Sequence, residues 1–367
     1  MNMEYTLRIE KIEALLDREL PPLPEAGARI PAEGAGKSWI DRTFPGLELR
    51  PEQLRPLLTP GRDLLDRGGK RWRPLLSLLV CETLGGGDAA LPLLPLVEFP
   101  HNASLVHDDI EDNSDERRGK PALHLIYGTD TAINSGSFLY FLPLSCIETW
   151  DAPAEAKNRI WSLWGEHMRR LHLGQSMDIA WHRDFSVLPP VEDYELMCRL
   201  KTGCLARFAA LLGAAAASSG PGGVSGDSPE GRERVSALGG GAEKLGVGFQ
   251  ILDDVRNLSS GIPGKKRGDD VVEGKKSLPV LLFLHAHGDK IPFAEACFSA
   301  ARKGGAEAPE VEALIAALTE SGALEKAEKR GLELIREAGE IFNRAVSGSG
   351  LVEEARGLLA GLPALLG

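Results

Sequence analysis

Two aspartate clusters interrupt long apolar stretches of this chain, and each sits where a helix would bury it. The first is SLVHDDIEDNSDERRG, residues 104–119; the second is FQILDDVRNL, residues 249–258. On a helix, Asp108 and Asp112 share one face, one turn apart, with Asp109 beside them. Asp253, Asp254 and Asn257 repeat that spacing later in the chain. A lone acidic helix face is ordinarily just solvated. Two copies inside apolar helices are different, because a buried carboxylate has to be paired or bound to a cation. Oxygen donors of this kind suit Mg²⁺, and Mn²⁺ accepts the same set. Mg²⁺ shares its shell with phosphate oxygens, so two such faces opposed across a cavity would hold a diphosphate.

The rest of the chain reads as helix. RWRPLLSLLVCETL, PLLPLVEFPHNASLVHDDI and SFLYFLPLSCIETW are long and apolar, and residues 156–184 and 192–217 carry apolar side chains at helical spacing. Residues 3–18 form an amphipathic helical pattern. Residues 20–48, rich in Pro, Gly and Ala, read as an irregular arm, and 216–233 and 259–279 read as loops. No linker separates two independent cores. The expected architecture is all-α: residues 1–50 as a helix plus arm, then one helical bundle over 51–367 around a deep apolar cavity.

The formal net charge of −11 argues against general binding to nucleic acid or to an anionic membrane. GGKRWRP (68–74) and GKKRGDD (264–270) are therefore local basic features. Five cysteines, none in a CxxC pair, do not make a disulfide framework, and a reducing cytoplasm fits them. No run of about 18 consecutive apolar residues is present, so no transmembrane span is expected. Cations stand around the aspartates: Arg117 and Arg118 after the first cluster, Lys201 in RLKTG, Lys265 and Lys275 after the second. Arg offers phosphate a bidentate fork and Lys a point charge. No nucleophile motif stands out.

With these motifs in view, the chain resembles the trans-polyprenyl diphosphate synthases, most closely the geranylgeranyl type. GGKRWRP, HNASLVHDDIEDNSDERRG, GQSMD (174–178), KTG (201–203), GFQILDD and GKKRGDDVVEGKKSLP match family segments in order, over roughly residues 60–285. The resemblance implies condensation of isopentenyl diphosphate with an allylic diphosphate in a homodimeric enzyme. It implies that Asp108, Asp109, Asp112, Asp253 and Asp254, with Asn257 at the last position of the second motif, bind Mg²⁺. Arg117, Lys201 and Lys265, with Gln175 and Gln250 nearby, would meet the allylic diphosphate, and Lys275 would join them as the site closes. Lys70, Arg73, His101 and Arg118 would hold isopentenyl diphosphate.

Product length needs a pocket floor. Ala103 and Ser104, one turn upstream of Asp108, are small and leave the pocket open, which argues against a fifteen-carbon product. The resemblance implicates Tyr140, Phe141 and His172 in limiting length. A longer-chain synthase is the close variant. A class I terpene cyclase would have no use for Lys70, Arg73, His101 and Arg118, and a non-catalytic subunit of a heteromeric synthase could dispense with its aspartates.

Overall fold

Apolar residues recurring at helical spacing produce a protein built almost wholly of helices. A computed structural model describes residues 3–23, 39–43, 45–46, 49–220, 228–261, 266–348 and 351–366. In chain order the helices are α1 (Met3–Glu19), α2 (Trp39–Thr43), α3 (Pro51–Asp66), α4 (Trp72–Thr83) and α5 (Pro95–Glu111). A two-strand ribbon, β1 (Glu116–Arg117) and β2 (Lys120–Pro121), follows. Then come α6 (Leu123–Tyr127), α7 (Thr129–Phe141), α8 (Ser145–Thr149), α9 (Ala154–Arg183), α10 (Val191–Cys198), α11 (Cys204–Ala217) and α12 (Pro229–Leu258). The chain closes with α13 (Asp269–Glu273), α14 (Leu278–Ala286), α15 (Ile291–Gly304), α16 (Pro309–Glu320), α17 (Ala323–Ala345) and α18 (Glu353–Gly361).

By packing, these elements group into two compact units. One comprises Met1–Trp164, Leu211–Gly231 and Ser349–Leu358; the other comprises Gly165–Ala210, Arg232–Gly348 and Leu359–Gly367. Each is assembled from segments far apart in the chain, so no linker marks the division. The N-terminal helix α1 packs with the rest of the first unit. Tyr5, Ile12, Leu15 and Leu16 of α1 are buried in the first unit, where the Tyr5 hydroxyl donates to the Leu358 carbonyl at 2.6 Å. Most of the arm over 20–48 lies outside the described residues; within it, Trp39 of α2 packs its ring 5.2 Å from that of Phe138.

In the first unit, α5 and α7 lie side by side with α3, and Leu64, Val106, Leu123 and Ala132 are buried together. In the second, Tyr194, Met197, Val247, Ile251, Leu281 and Leu334 form the core beside the second aspartate motif. The helical run Val191–Ala217 is long and apolar enough to cross a membrane, yet 83% of its apolar 18-residue window is buried inside the protein, as in a core helix.

Close helix contact depends on missing side chains. A Cβ on Gly213 of α11 would stand 2.2 Å from the Ser77 carbonyl oxygen of α4. That neighbour is backbone and cannot rotate away. Gly213→Ala should therefore lower the stability of the chain by about 2 kcal/mol despite alanine's better helix propensity, measured by urea unfolding. Undiminished stability would show that α4 and α11 can separate freely.

Candidate active site

The first cluster is made by the end of α5 and the ribbon that follows it. Arg118 and Gly119 have φ of 53° and 75°, and the pairing Glu116–Pro121, Arg117–Lys120 leaves them as a two-residue turn with both φ positive. Such a turn matches the twist of a tight hairpin. It also sends adjacent arginines to different partners. Arg117 turns to the aspartates: its Nε donates to Asp109 Oδ1 at 2.8 Å, its Nη2 to the same oxygen, and it lies 3.8 Å from Asp108 Oδ2. Arg118 donates to the Leu64 carbonyl at 3.0 Å and to Asn102 Oδ1 at 3.3 Å. Arg67 ties the ribbon to α3 through the carbonyls of Arg117 and Pro121.

Asp109 is buried and committed to Arg117. Asp108 and Asp112 are half-buried. Nearby stands a knot of guanidinium groups. Arg71, with φ of 49° at the start of α4, is buried and paired with Glu98 and Glu13, both at 2.7 Å. Arg73 lies over the Trp72 ring at 4.5 Å, with Nη1 at 3.5 Å from His101 Nε2. Lys70 is exposed. Burial first, then the Arg73 and Arg118 charges, hold the His101 imidazole well below its usual range. His101 is therefore neutral here and can offer hydrogen bonds but no charge. Burial also lowers Arg118 to about 10, still fully cationic at neutral pH.

The second cluster, in the other unit, is organised by glycines. A Cβ on Gly174 of GQSMD would come 2.4 Å from the Lys201 nitrogen, and Gly246 would meet the Gly203 backbone at 2.8 Å. Between α10 and α11, Arg199–Gly203 winds as a π-helical turn, a local feature often found at functional sites. Lys201 stands in it and pairs with Asp178 Oδ2 at 2.6 Å. Thr202 donates to Gln250 Oε1 at 2.8 Å, Gln250 Nε2 donates to Asp254 Oδ1 at 2.8 Å, and the buried Tyr194 hydroxyl donates to Asp254 Oδ2 at 2.7 Å. Lys275 pairs with Glu273 at 2.5 Å. Asp178, Tyr194, Met197, Lys201, Gln250, Asp254 and Lys275–Ser277 line one cavity. Gln175 is half-buried three residues before Asp178 on α9.

Other residues singled out from sequence have partners of their own. Asn257 fastens the following loop: its Oδ1 accepts the Asp270 N–H at 3.2 Å and its Nδ2 faces the Lys266 carbonyl at 3.5 Å. Asp254 spends both oxygens on neutral donors. Phe141 is 61% exposed and tilts against Trp164, and His172 is exposed with Nδ1 at 2.8 Å from the Met168 carbonyl. Lys265 lies outside the described residues. Conversely, Asp178, Tyr194, Thr202 and Glu273 were not singled out from sequence. Asp178 could have been, since it ends the GQSMD segment. His107 was also missed; its ring stacks on Tyr140 at 5.8 Å and 8°, with Ser137 Oγ 3.3 Å from Nε2.

No group of three or more Asp, Glu, His or Cys is gathered as a metal cage among the described residues. Mg²⁺ does not require one, since it is usually carried by one or two carboxylates together with phosphate and water. Asp108 and Asp112 fit that pattern, as half-buried carboxylates one turn apart, and Asp253 is half-buried too.

An all-helical protein with two such acid-and-cation clusters has the chemistry of a diphosphate-handling synthase. Residues 55–317 match the Polyprenyl synthetase family, and the chain belongs to that family as a trans-prenyltransferase. It is 33% identical over 291 residues to a geranylfarnesyl diphosphate synthase of Aeropyrum pernix, covering 77% of this chain and 85% of that one. It is 32% identical to a geranylgeranyl diphosphate synthase of Methanosarcina mazei, covering 82% and 86%. A solved geranylgeranyl pyrophosphate synthetase from Pyrococcus horikoshii superposes with a TM-score of 0.75 at 26% identity, covering 99% of this chain and 96% of that one.

Burial, and then Asp270, push the Asp254 carboxyl up to about 7 against the hydrogen bonds of Tyr194 and Gln250. The folded protein therefore binds more protons here than the unfolded chain between about pH 4 and 7, so this site's contribution to stability is full below that window and lost as pH rises through 7. Asp254→Asn should gain Tm relative to wild type on going from pH 5 to pH 8 in metal-free buffer. A Tm difference independent of pH, by calorimetry, would contradict this assignment.

Proposed function

We propose that the protein condenses isopentenyl diphosphate with an allylic diphosphate and makes geranylgeranyl diphosphate. The observation that carries this is the face of α5: half-buried Asp108 and Asp112 at its end, the wholly buried small side chain of Ala103 and half-buried Ser104 one turn upstream, and the His107–Tyr140 stack alongside. The named activities of the Aeropyrum pernix and Methanosarcina mazei relatives support it.

In this reading Asp108, Asp112 and Asp253 hold Mg²⁺, or Mn²⁺, which when bound neutralises charge on the leaving diphosphate. Arg117, Lys201, Lys265 and Lys275 bind the allylic diphosphate, with Gln175 beside them. Gln250 and Asp254 shape the wall through the Thr202 and Tyr194 hydrogen bonds, and Asp109 aims Arg117. Lys70, Arg73 and Arg118 supply charge to the diphosphate of isopentenyl diphosphate, and neutral His101 supplies a hydrogen bond. Fixed cations around the leaving group are electrostatic catalysis, since they stabilise charge as it builds. The allylic carbon–oxygen bond breaks, the isopentenyl double bond attacks the allylic cation, and a proton is lost to the released diphosphate. Apolar helix faces keep water from quenching the cation.

The aligned Aeropyrum relative favours a second reading, a product of twenty-five carbons, because Ala103 and Ser104 leave room for it. Exposed Leu125, Ile126, Ile133, Phe141 and Trp161 support pairing with a second copy of the chain. All five cysteines are buried free thiols, which suits a reducing cytoplasm.

Product analysis tests the proposal. Purified protein with Mg²⁺, labelled isopentenyl diphosphate and dimethylallyl, geranyl or farnesyl diphosphate should give one major twenty-carbon alcohol after dephosphorylation. No elongation from any primer would overturn it. Replacing Asp108 and Asp112 together by Ala should lower kcat by about 10²–10³ with the fold intact by circular dichroism. Ala103→Phe should shorten the product, and an unchanged chromatogram would remove this wall from length control.

A further inference from the structure

Lys276 is the cation that the motif reading left out. Its neighbour Lys275 has Glu273 and Lys201 has Asp178, but Lys276 has no carboxylate within ion-pair distance among the described residues. It is nevertheless buried, at 3% exposure. Its ammonium reaches only the carbonyls of Trp181 and Gly274, both at a long 3.4 Å, and the rings of Phe298 at 4.8 Å and Phe185 at 5.3 Å. Arg302 crowds the same corner. It lies over Phe185 at 4.5 Å and donates to the His182 and Glu273 carbonyls at 2.9 Å. Lys276 also belongs to the lining of the cavity that holds Lys201, Lys275 and Gln250.

A buried ammonium with weak hydrogen bonds and a guanidinium for a neighbour destabilises the fold it sits in. Burial, then Arg302, lower its proton affinity to about 8, with Asp184 and Glu295 acting the other way from a distance. Close to it on its own segment and on the end of α9 stand Lys275, Glu273, Asp178, His182 and Arg183. A methionine of similar length would fill the same apolar space at no electrostatic cost. A charge kept in such a place is matched by an anion that arrives from outside.

We propose that Lys276 is a further anion-binding residue of this cavity, which receives the diphosphate group beside Lys201 and Lys275. The inference rests on the prenyl-transfer reading for the identity of the anion, whereas the geometry of the unpaired ammonium stands apart from it. Binding of the anion favours the charged amine and so draws in a fraction of a proton near pH 8.

The test compares wild type, Lys276→Met and Lys276→Arg by calorimetric titration with inorganic diphosphate and magnesium at pH 8, in buffers of different ionisation enthalpy. Lys276→Met should bind diphosphate at least about tenfold more weakly and take up less proton than wild type, while its Tm without ligand is equal or higher. Lys276→Arg should recover affinity. A second titration uses an unreactive thio-analogue of an allylic diphosphate. The same loss there puts the substrate's diphosphate at Lys276, and a loss with inorganic diphosphate alone puts the released product there. Equal affinity and proton uptake in Lys276→Met would overturn the proposal. So would a fall in Tm with affinity unchanged, which is the mark of a merely structural clamp. If products form normally while Lys276→Met is indistinguishable from wild type, this inference fails alone. If diphosphate binding depends on Lys276 but no primer is elongated, the prenyl-transfer reading fails instead.

Discussion

An ionised group inside a helical, apolar protein has to be met by an opposite charge or by several hydrogen bonds, and most of the site follows from how that is done. Asp109 is buried beside Asp108, a like charge one residue away. It is held there because the ribbon after α5 folds Arg117 back onto it. The second motif uses another solution. Asp254 is met by two neutral donors, Tyr194 and Gln250, and its carboxyl stays close to protonation at neutral pH. The two motifs look alike in sequence, yet Asp109 is met by a guanidinium and Asp254 by neutral hydrogen-bond donors.

Placement of the cations depends on close backbone contact. Lys201 lies in a π-helical turn that is accommodated because Gly174 offers no Cβ toward its nitrogen, and because Gly203 and Gly246 meet backbone to backbone. Two motif fragments, GQSMD and KTG, are thus halves of one steric arrangement. Each glycine removes bulk where two helices touch, and the reward is a lysine fixed by packing. A side chain held in this way needs no reorganisation when charge develops next to it.

The helices and both aspartate motifs were legible because they depend on local periodicity and spacing. Asp108 and Asp112 needed only the 3.6-residue repeat. What depended on the fold was not legible. Asn257 has the right spacing for a ligand, but no local pattern shows that it also accepts the Asp270 N–H thirteen residues on. Tyr140 and Phe141 are adjacent in sequence; one stacks on His107 and the other faces outward, and no local rule separates them. Lys275 and Lys276 are likewise neighbours, one paired and one not. The division into two units was hidden because each unit recruits segments from distant parts of the chain.

The guanidinium knot of the first unit shows the same logic applied to attraction. Arg71 is neutralised by Glu98 and Glu13 and serves the fold. Arg73 lies over an aromatic face, and Arg118 donates to a carbonyl and an amide. Burial first, and then the positive field of the neighbouring arginines, keep His101 deprotonated. A positive potential of that size costs stability through self-repulsion and is tolerated where an anion is to be received. Neutral His101 is useful in that setting, since it can donate a hydrogen bond to a phosphate oxygen without adding to the repulsion between the arginines. Glu98 reaches Arg71 because the residue before α4 takes a left-handed backbone that turns its side chain inward.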